Sequence, residues 1–307
     1  MKFLLFSDFH YYPDYFFGGT FEKLHQIQKR AEDENVEFII HAGDMTHGAS
    51  LHPDFVKEYN DFHIPSYNCL GNHDTDHTAL EETVKLYNMP GDYYYFDVNG
   101  FRMIVLNPNM IKLDGQYIKY SMGNYFAHEA KRDWIDPKQL LWLKNTIASS
   151  EYPCILISHA SFERETGGIQ NFEEVRNVIN DANSIKPHSV VMCINGHYHR
   201  DFLRILDGVA YFDVNSSSFD WLPKEHDLYP KEETDKIVYM NHCVHYNDPL
   251  SAVVTIENTG CGIKIDIKGS ESTFYRGITR EMTGNVKCDD SGRPCTAKIM
   301  SANITLG

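Results

Sequence analysis

Apolar runs of strand length alternate with segments in which apolar residues recur every three or four positions, and this rhythm organises most of the chain's first half. Residues 2–7 predict a buried strand. Thr20 then predicts the cap of a helix whose buried stripe is Phe21, Leu24, Ile27 and Ala31. A second strand is expected at 37–42, a helix after Pro53 through Phe55, Val56, Tyr59 and Phe62, and a third strand at 64–70. Thr78 with Glu81 three residues on has the form of a capping box for a helix carrying Leu80, Val84 and Tyr87. Residues 93–98 and 101–106 flank Asn99-Gly100, a hairpin signal. Asp136 and Pro137 open a helix with Leu140, Leu141, Leu143 and Ile147, and a strand follows at 153–158. Asn171 and Glu174 start another helix along Phe172, Val175, Val178 and Ile179, before a strand at 190–194.

The second half leans towards β structure. Asp207-Gly208 joins two runs into a hairpin, and 252–257 with 262–268 read as another. Alternating strands and helices argue for an α/β layered sheet with its functional loops at the carboxyl ends of the strands. The signals weaken after Thr273, so one domain is expected over 1–272. Residues 273–307 form an extension with a further hairpin at Asp290-Ser291-Gly292. Periodicity also lapses over 108–133, where Tyr117, Tyr120, Tyr125 and Phe126 stand among Lys112, Lys119 and His128. Long loops in compact domains are usually functional or disordered, and the aromatic content speaks against disorder. A substrate cap and a structural insertion are both open there, and 216–248 follows no template.

The ends of the expected strands carry the chemistry. Asp8 and His10 stand two apart and so point the same way in extended chain. Asp44 ends the second strand, Gly71-Asn72-His73-Asp74 the third, His159 another, and His197 with His199 the next. Four imidazoles, two carboxylates and one carboxamide exceed the needs of one tetrahedral zinc site. They suit two cations sharing a carboxylate, about 3.5–4 Å apart in hydrolases that use such pairs. Nitrogen and oxygen donors without thiolate favour Mn, Fe, Zn or Co. His73 is left over.

Composition narrows the partners. Among 307 residues a formal net charge of -15 opposes a phosphate backbone, so no long nucleic acid is expected. No stretch approaches the ~18 apolar residues of a membrane span. The opening residues read as a strand and not a signal peptide, and seven Cys at irregular spacings read as reduced thiols, so a cytoplasmic location is expected. Oligomeric state stays open. His41, inside an apolar run, reads as a core histidine, and His242 with His245 lacks a second cluster to make a metal site.

The ordered blocks Asp8-x-His10, Gly43-Asp44, Gly71-Asn72-His73-Asp74, His159 and Gly196-His197-x-His199 resemble the calcineurin-like metallophosphoesterase superfamily over about residues 1–215. The resemblance implies a four-layer α/β/β/α sandwich, two mixed sheets flanked by helices. It implies one cation on Asp8, His10, Asp44 and His199 and a second on Asp44, Asn72, His159 and His197, with Asp44 as bridge. Two such ions would turn a shared water into a hydroxide nucleophile, and His73 would protonate the leaving oxygen as general acid. Asp74 is expected to orient His73 or a liganding histidine.

Residues 43–48 read Gly-Asp-Met-Thr-His-Gly, without the later Asp and Arg of the protein phosphatases in this superfamily or the Tyr of the purple acid phosphatases. His47 occupies the position of that Asp, and lining the substrate pocket and a structural role are both open for it. The expected activity is hydrolysis of a small phosphodiester, a nucleotide among the candidates, since class III cyclic nucleotide phosphodiesterases are nearest in pattern. A phosphomonoesterase is the alternative. A catalytically silent scaffold on this fold is disfavoured because all seven ligand positions and His73 are present.

Overall fold

The computed structural model describes residues 1–15, 17–164, 167–222, 225, 227–283 and 296–307. The chain begins with β1 (Lys2–Phe6), α1 (Phe21–Asp33), β2 (Phe38–His41), α2 (Pro53–Asn60), β3 (Ser66–Asn68) and α3 (Leu80–Leu86). Four strands follow: β4 (Tyr94–Val98), β5 (Phe101–Val105), β6 (Met110–Leu113) and β7 (Gln116–Lys119). Then come α4 (Pro137–Ala148), β8 (Cys154–Ile157), α5 (Phe172–Ile185), β9 (Val190–Asn195), β10 (Phe202–Leu206) and β11 (Val209–Asp213). The chain continues through β12 (Phe219–Trp221), α6 (Lys231–Thr234), β13 (Cys243–His245), β14 (Ala252–Asn258), β15 (Ile263–Lys268) and β16 (Ala302–Leu306).

Two mixed six-stranded sheets, ordered β16-β15-β14-β1-β2-β3 and β10-β11-β9-β8-β5-β4, form the centre. Strand alternation assigns the faces. Met103, Val105, Ile155 and Ile157 join the core shared with the first sheet, α1 and α2. Their neighbours Ile104, Leu106, Cys154 and Leu156 pack with Leu143, Ile147, Val175 and Ile179 of α4 and α5. Both faces of these strands are covered, which is why they read as unbroken apolar runs. The result is the expected sandwich of mixed sheets flanked by helices.

Caps divide between local and tertiary control. Thr20 and Asp136 do cap α1 and α4, accepting from Lys23 N at 3.2 Å and Gln139 N at 2.6 Å. The Thr78 box does not form: α3 starts after Ala79, and Thr78 Oγ1 accepts from Ser50 N at 3.1 Å. Asn171 is likewise diverted, its amide bridging the backbone N and O of Ile135. The extension expected over 273–307 contributes β16, which pairs with β15 and buries Ile304 and Leu306 in the first sheet's core. The hairpin expected at Asp290-Ser291-Gly292 lies outside the described residues. Among the described residues no helix is long and apolar enough to cross a membrane.

Strands β1, β2 and β3 run parallel, as do β5, β8, β9 and β11. Their carboxyl ends therefore open on one side, and every block singled out in the sequence arrives there.

Candidate active site

The loops after β1 and β2 are zipped by backbone hydrogen bonds from Asp8 N to Gly43 O (2.9 Å), His10 N to Asp44 O (3.0 Å) and Tyr11 N to Met45 O (2.9 Å). Asp8, His10, Asp44, His197 and His199 all adopt left-handed backbone, with φ of 52°, 51°, 59°, 70° and 52°. Each such residue costs about 1–2 kcal/mol. Strain concentrated on five chemically selected side chains marks a functional site held in place by the surrounding sheets. Gly71 permits a further close approach, since a Cβ there would run into the Asp44 carboxylate.

Six of the predicted ligands form two groups, Asp8, His10 and His199, and Asp44, His159 and His197, the ligating atoms of each group lying within 4.8 Å of one another. His159 Nδ1 donates to Ala42 O (2.8 Å) and His199 Nδ1 to Phe219 O (2.9 Å), which turns both Nε2 atoms into the site. His199 Nε2 lies 3.0 Å from His10 Nε2 and 3.3 Å from Asp8 Oδ1. His159 Nε2 lies 3.0 Å from Asp44 Oδ2 and 3.7 Å from Asp8 Oδ1, so the two groups adjoin. Asn72 Nδ2 donates to Tyr125 Oη at 3.3 Å, which points the amide oxygen inward.

Two divalent cations fit these residues. Asp8 Oδ1 and Asn72 Oδ1 are buried without a hydrogen-bond partner among the described residues, an expensive state for acceptors. Burial opposes protonation of His159, yet Asp44 and Asp8 outweigh it and raise its pKa to about 10. The two carboxylates thus demand positive charge at that spot, which a proton or a metal ion can supply. Burial also opposes ionisation of Asp44, but His159 and His73 hold its carboxyl well below the usual range.

His73 sits at the rim, its side chain 22% exposed, with its backbone N–H on Asp44 Oδ1 at 2.8 Å. Asp74, expected to orient it or a liganding histidine, does neither. Its Oδ2 accepts from Gly71 N (2.8 Å) and Asp44 N (3.0 Å), and its Oδ1 from Met45 N (2.9 Å), Thr46 N (3.2 Å) and Tyr87 Oη (2.8 Å). The turn after β3 carries Asp74 beneath the loop, so it clamps backbone. Burial, then Asp44, pushes its pKa up to about 7, against five converging donors that favour the carboxylate.

Asp76 is the acid beside His73, 2.7 Å from its Nδ1, and the sequence reasoning passed over it. A second carboxylate three residues after His73 was the available signal. Burial works against the His73 cation, but Asp76 and Asp44 raise its pKa to about 9. His47 is buried, its Nδ1 3.1 Å from Asp76 and its Nε2 2.9 Å from His10 Nδ1. It is thus held between Asp76 and His10 and almost fully buried. His41 is a core residue. Segment 108–133 is a hairpin and a 3-10 turn whose buried Tyr125 enters the site from the side, so it props the site up.

Aromatic side chains frame the opening. Trp221 lies 5.9 Å from His199 and 6.4 Å from His10 between ring centroids, and Tyr12 lies 5.4 Å from His47. Tyr12 stacks on the exposed Tyr15 at 4.4 Å, and the exposed Tyr239 stands 6.1 Å beyond. Neither β12 nor β13, which pair beside this wall, was anticipated, each being three residues long.

The chain belongs to the calcineurin-like phosphoesterase family, whose model matches residues 1–201, and it is a phosphoric ester hydrolase of the metal-dependent, dinuclear type. It is 22% identical over 242 residues to the manganese-dependent ADP-ribose/CDP-alcohol diphosphatase of Arabidopsis thaliana, covering 61% of this chain and 73% of that protein. The fold is shared with a dimetal phosphatase from Danio rerio (TM-score 0.61, 13% identity, 90% of this chain and 99% of that one). It is also shared with GAP50, the anchor in the inner membrane complex of Plasmodium (TM-score 0.51, 13% identity, 91% and 86%).

Proposed function

We propose that this chain hydrolyses a small phosphodiester, with Asp8, His10, Asp44 and His199 holding one divalent cation and Asp44, Asn72, His159 and His197 holding the other. The observation that carries this reading is the pair of adjoining acid–imidazole groups with a non-ligating His73 at their rim. When bound, such cations neutralise charge on phosphoryl oxygens and acidify coordinated water. Manganese is the first choice, in keeping with the Arabidopsis relative, and the donor set also accepts iron or zinc. His73 donates its Nε2 proton to the leaving oxygen, its Nδ1 being occupied by Asp76. Carbonyls of Ala42 and Phe219 keep His159 and His199 from rotating.

The aromatic wall of Tyr12, Tyr15, Trp221 and Tyr239 suits a planar base on the substrate. It favours nucleotides, including the diphosphate linkage named for the Arabidopsis relative. A phosphomonoesterase remains the alternative. Among the described residues Cys69, Cys154, Cys193 and Cys243 are free and buried and Cys261 free and exposed, in keeping with a reducing cytoplasm.

The test is turnover of bis-p-nitrophenyl phosphate, p-nitrophenyl phosphate, ADP-ribose and CDP-choline by stripped protein reloaded with Mn, beside His73→Ala. Metal-dependent preference for the diester or the diphosphates supports the proposal. Preference for the monoester promotes the alternative, and no metal-dependent turnover of any of the four overturns the reading.

A further inference from the structure

We infer that Asp76 is a positioning residue with two outputs: it orients His73 as proton donor, and through His47 it fixes the tautomer of His10 that can bind a cation. This rests on the assignment of ligands and proton donor given above. Asp76 is buried at the end of the 3-10 turn His73–Thr75, and its Oδ2 is shared, 2.7 Å from His73 Nδ1 and 3.1 Å from His47 Nδ1. Its Oδ1 accepts from Tyr125 Oη at 2.7 Å.

A carboxylate only accepts, so both Nδ1 atoms carry their protons. For His73 this fixes the ring with Nε2 directed away from Asp76. For a neutral His47 it leaves the lone pair on Nε2, which lies 2.9 Å from His10 Nδ1. That contact is a hydrogen bond only if His10 Nδ1 donates. The His10 lone pair is then on Nε2, the atom 3.0 Å from His199 Nε2 and 3.8 Å from Asp8 Oδ1. His199, anchored by the Phe219 carbonyl, has the same tautomer. Two lone pairs at 3.0 Å repel, and a cation bound by both resolves the repulsion.

Asp76 is the acceptor that holds the proton on His47 Nδ1. With the proton on Nε2, His47 obliges His10 to accept at Nδ1 and to carry N–H where a ligand lone pair is needed. One carboxylate therefore couples the proton donor to the first cation site. A purely structural Asp76, capping its turn, would have neither consequence.

The experiment compares wild type, Asp76→Ala, His47→Phe and His73→Gln, each verified as folded by circular dichroism; Ala and Phe are used because an amide at either position could keep the acceptor that the inference requires to be lost. Calorimetric titration of the stripped proteins with Mn gives affinity. The ratio of turnover of bis-p-nitrophenyl phosphate to diphenyl phosphate reports need for a proton, because phenoxide is the poorer leaving group. Asp76→Ala is expected to weaken Mn binding ~10-fold or more and raise the ratio at least ~10-fold, general acids contributing about 100-fold or more. His47→Phe is expected to weaken Mn binding with the wild-type ratio, and His73→Gln to raise the ratio with Mn binding kept within about twofold, since each removes one arm only. Mn affinity in Asp76→Ala or His47→Phe equal to wild type overturns the inference, as does a ratio in Asp76→Ala equal to wild type. Should Asp76→Ala fail to fold, His47→Phe still decides the cation arm. Absence of turnover in wild type overturns the esterase reading alone, since Mn affinity is read independently of it.

Discussion

Replacing Asp74 by Asn separates a backbone clamp from a catalytic partner. The carboxylate takes five hydrogen bonds, two on Oδ2 and three on Oδ1, all buried. An amide has one acceptor oxygen. Its better placement keeps the oxygen on the Oδ1 side, where Met45, Thr46 and Tyr87 donate, and turns the NH2 group towards Gly71 N and Asp44 N. Two buried donors then face a third. At about 1–3 kcal/mol for each unsatisfied buried group, the variant should lose roughly 2–6 kcal/mol. That is a large share of a typical folding free energy of about 5–15 kcal/mol. Urea denaturation of the stripped protein gives the loss directly, and Mn titration reports the displacement of Asp44 that should accompany it. A loss below about 1 kcal/mol with unaltered Mn binding would refute the clamp, because at least one donor must go unpaired. Unchanged stability with a shifted leaving-group preference would restore Asp74 as the partner of His73.

Lys23 is buried with its Nζ on the carbonyls of Gly18 (3.0 Å) and Tyr246 (2.8 Å), and burial lowers its pKa from 10.5 to about 8. Below pH 8 both states hold the proton and the full cost of the buried charge is present; between 8 and 10.5 the folded state releases it first, so this group by itself should raise stability with pH by about 3.5 kcal/mol at ~1.4 kcal/mol per unit. Buried thiols and phenols such as Cys69, Cys193 and Tyr87, whose pKa values burial pushes up, pull the other way in both proteins, so urea midpoints should climb less or fall further with pH in Lys23→Met than in wild type, and equal slopes would sink the assignment. Removing metal with a chelator should lower the melting temperature, and Mn at 100 times its dissociation constant should restore about 2.7 kcal/mol; identical melting curves would contradict cation binding in the folded state. Gly196→Ala drives a Cβ into the Ser7 hydroxyl and towards Asp8 Oδ2, so Mn binding should fall at least ~10-fold, and wild-type binding would show that the loop yields freely.

The ligand blocks were legible because each is a local pattern: a strand-length apolar run followed at once by metal-ligating residue types. Asp8 and His10, or His197 and His199, sit in left-handed and not extended backbone, so the two-residue period of a strand does not set their direction; the loops that hold them do. Asp76 was not legible in that way. As a turn aspartate it looks like Asp74, and which of the two meets His73 depends on the path of a three-residue 3-10 turn. The lapse over 108–133 was visible, but the role of Tyr125 depends on tertiary packing. Thr78 shows the same limit from the other side, its capping signal losing to contacts with Ser50. An α/β layered sheet was readable from the alternation of strands and helices, and the four-layer order came from the family resemblance, whereas β12 and β13 join residues 219–221 to 243–245, too short for any periodicity.

The place of β1 has a consequence in time. The strand delivering Asp8 and His10 lies between β2, nearby in sequence, and β14, which begins at Ala252. Ser216 and Ser218 also hold the carbonyls of Asp8 and Phe9, at 2.8 and 2.7 Å. A ribosome that has released only the matching blocks up to His199 has therefore exported every candidate ligand and yet no finished site. One edge of β1 is still bare, and the turn after it lacks its serine anchors. Completion of the site is thus a late event in the chain's synthesis, waiting on residues that are not among the candidate ligands.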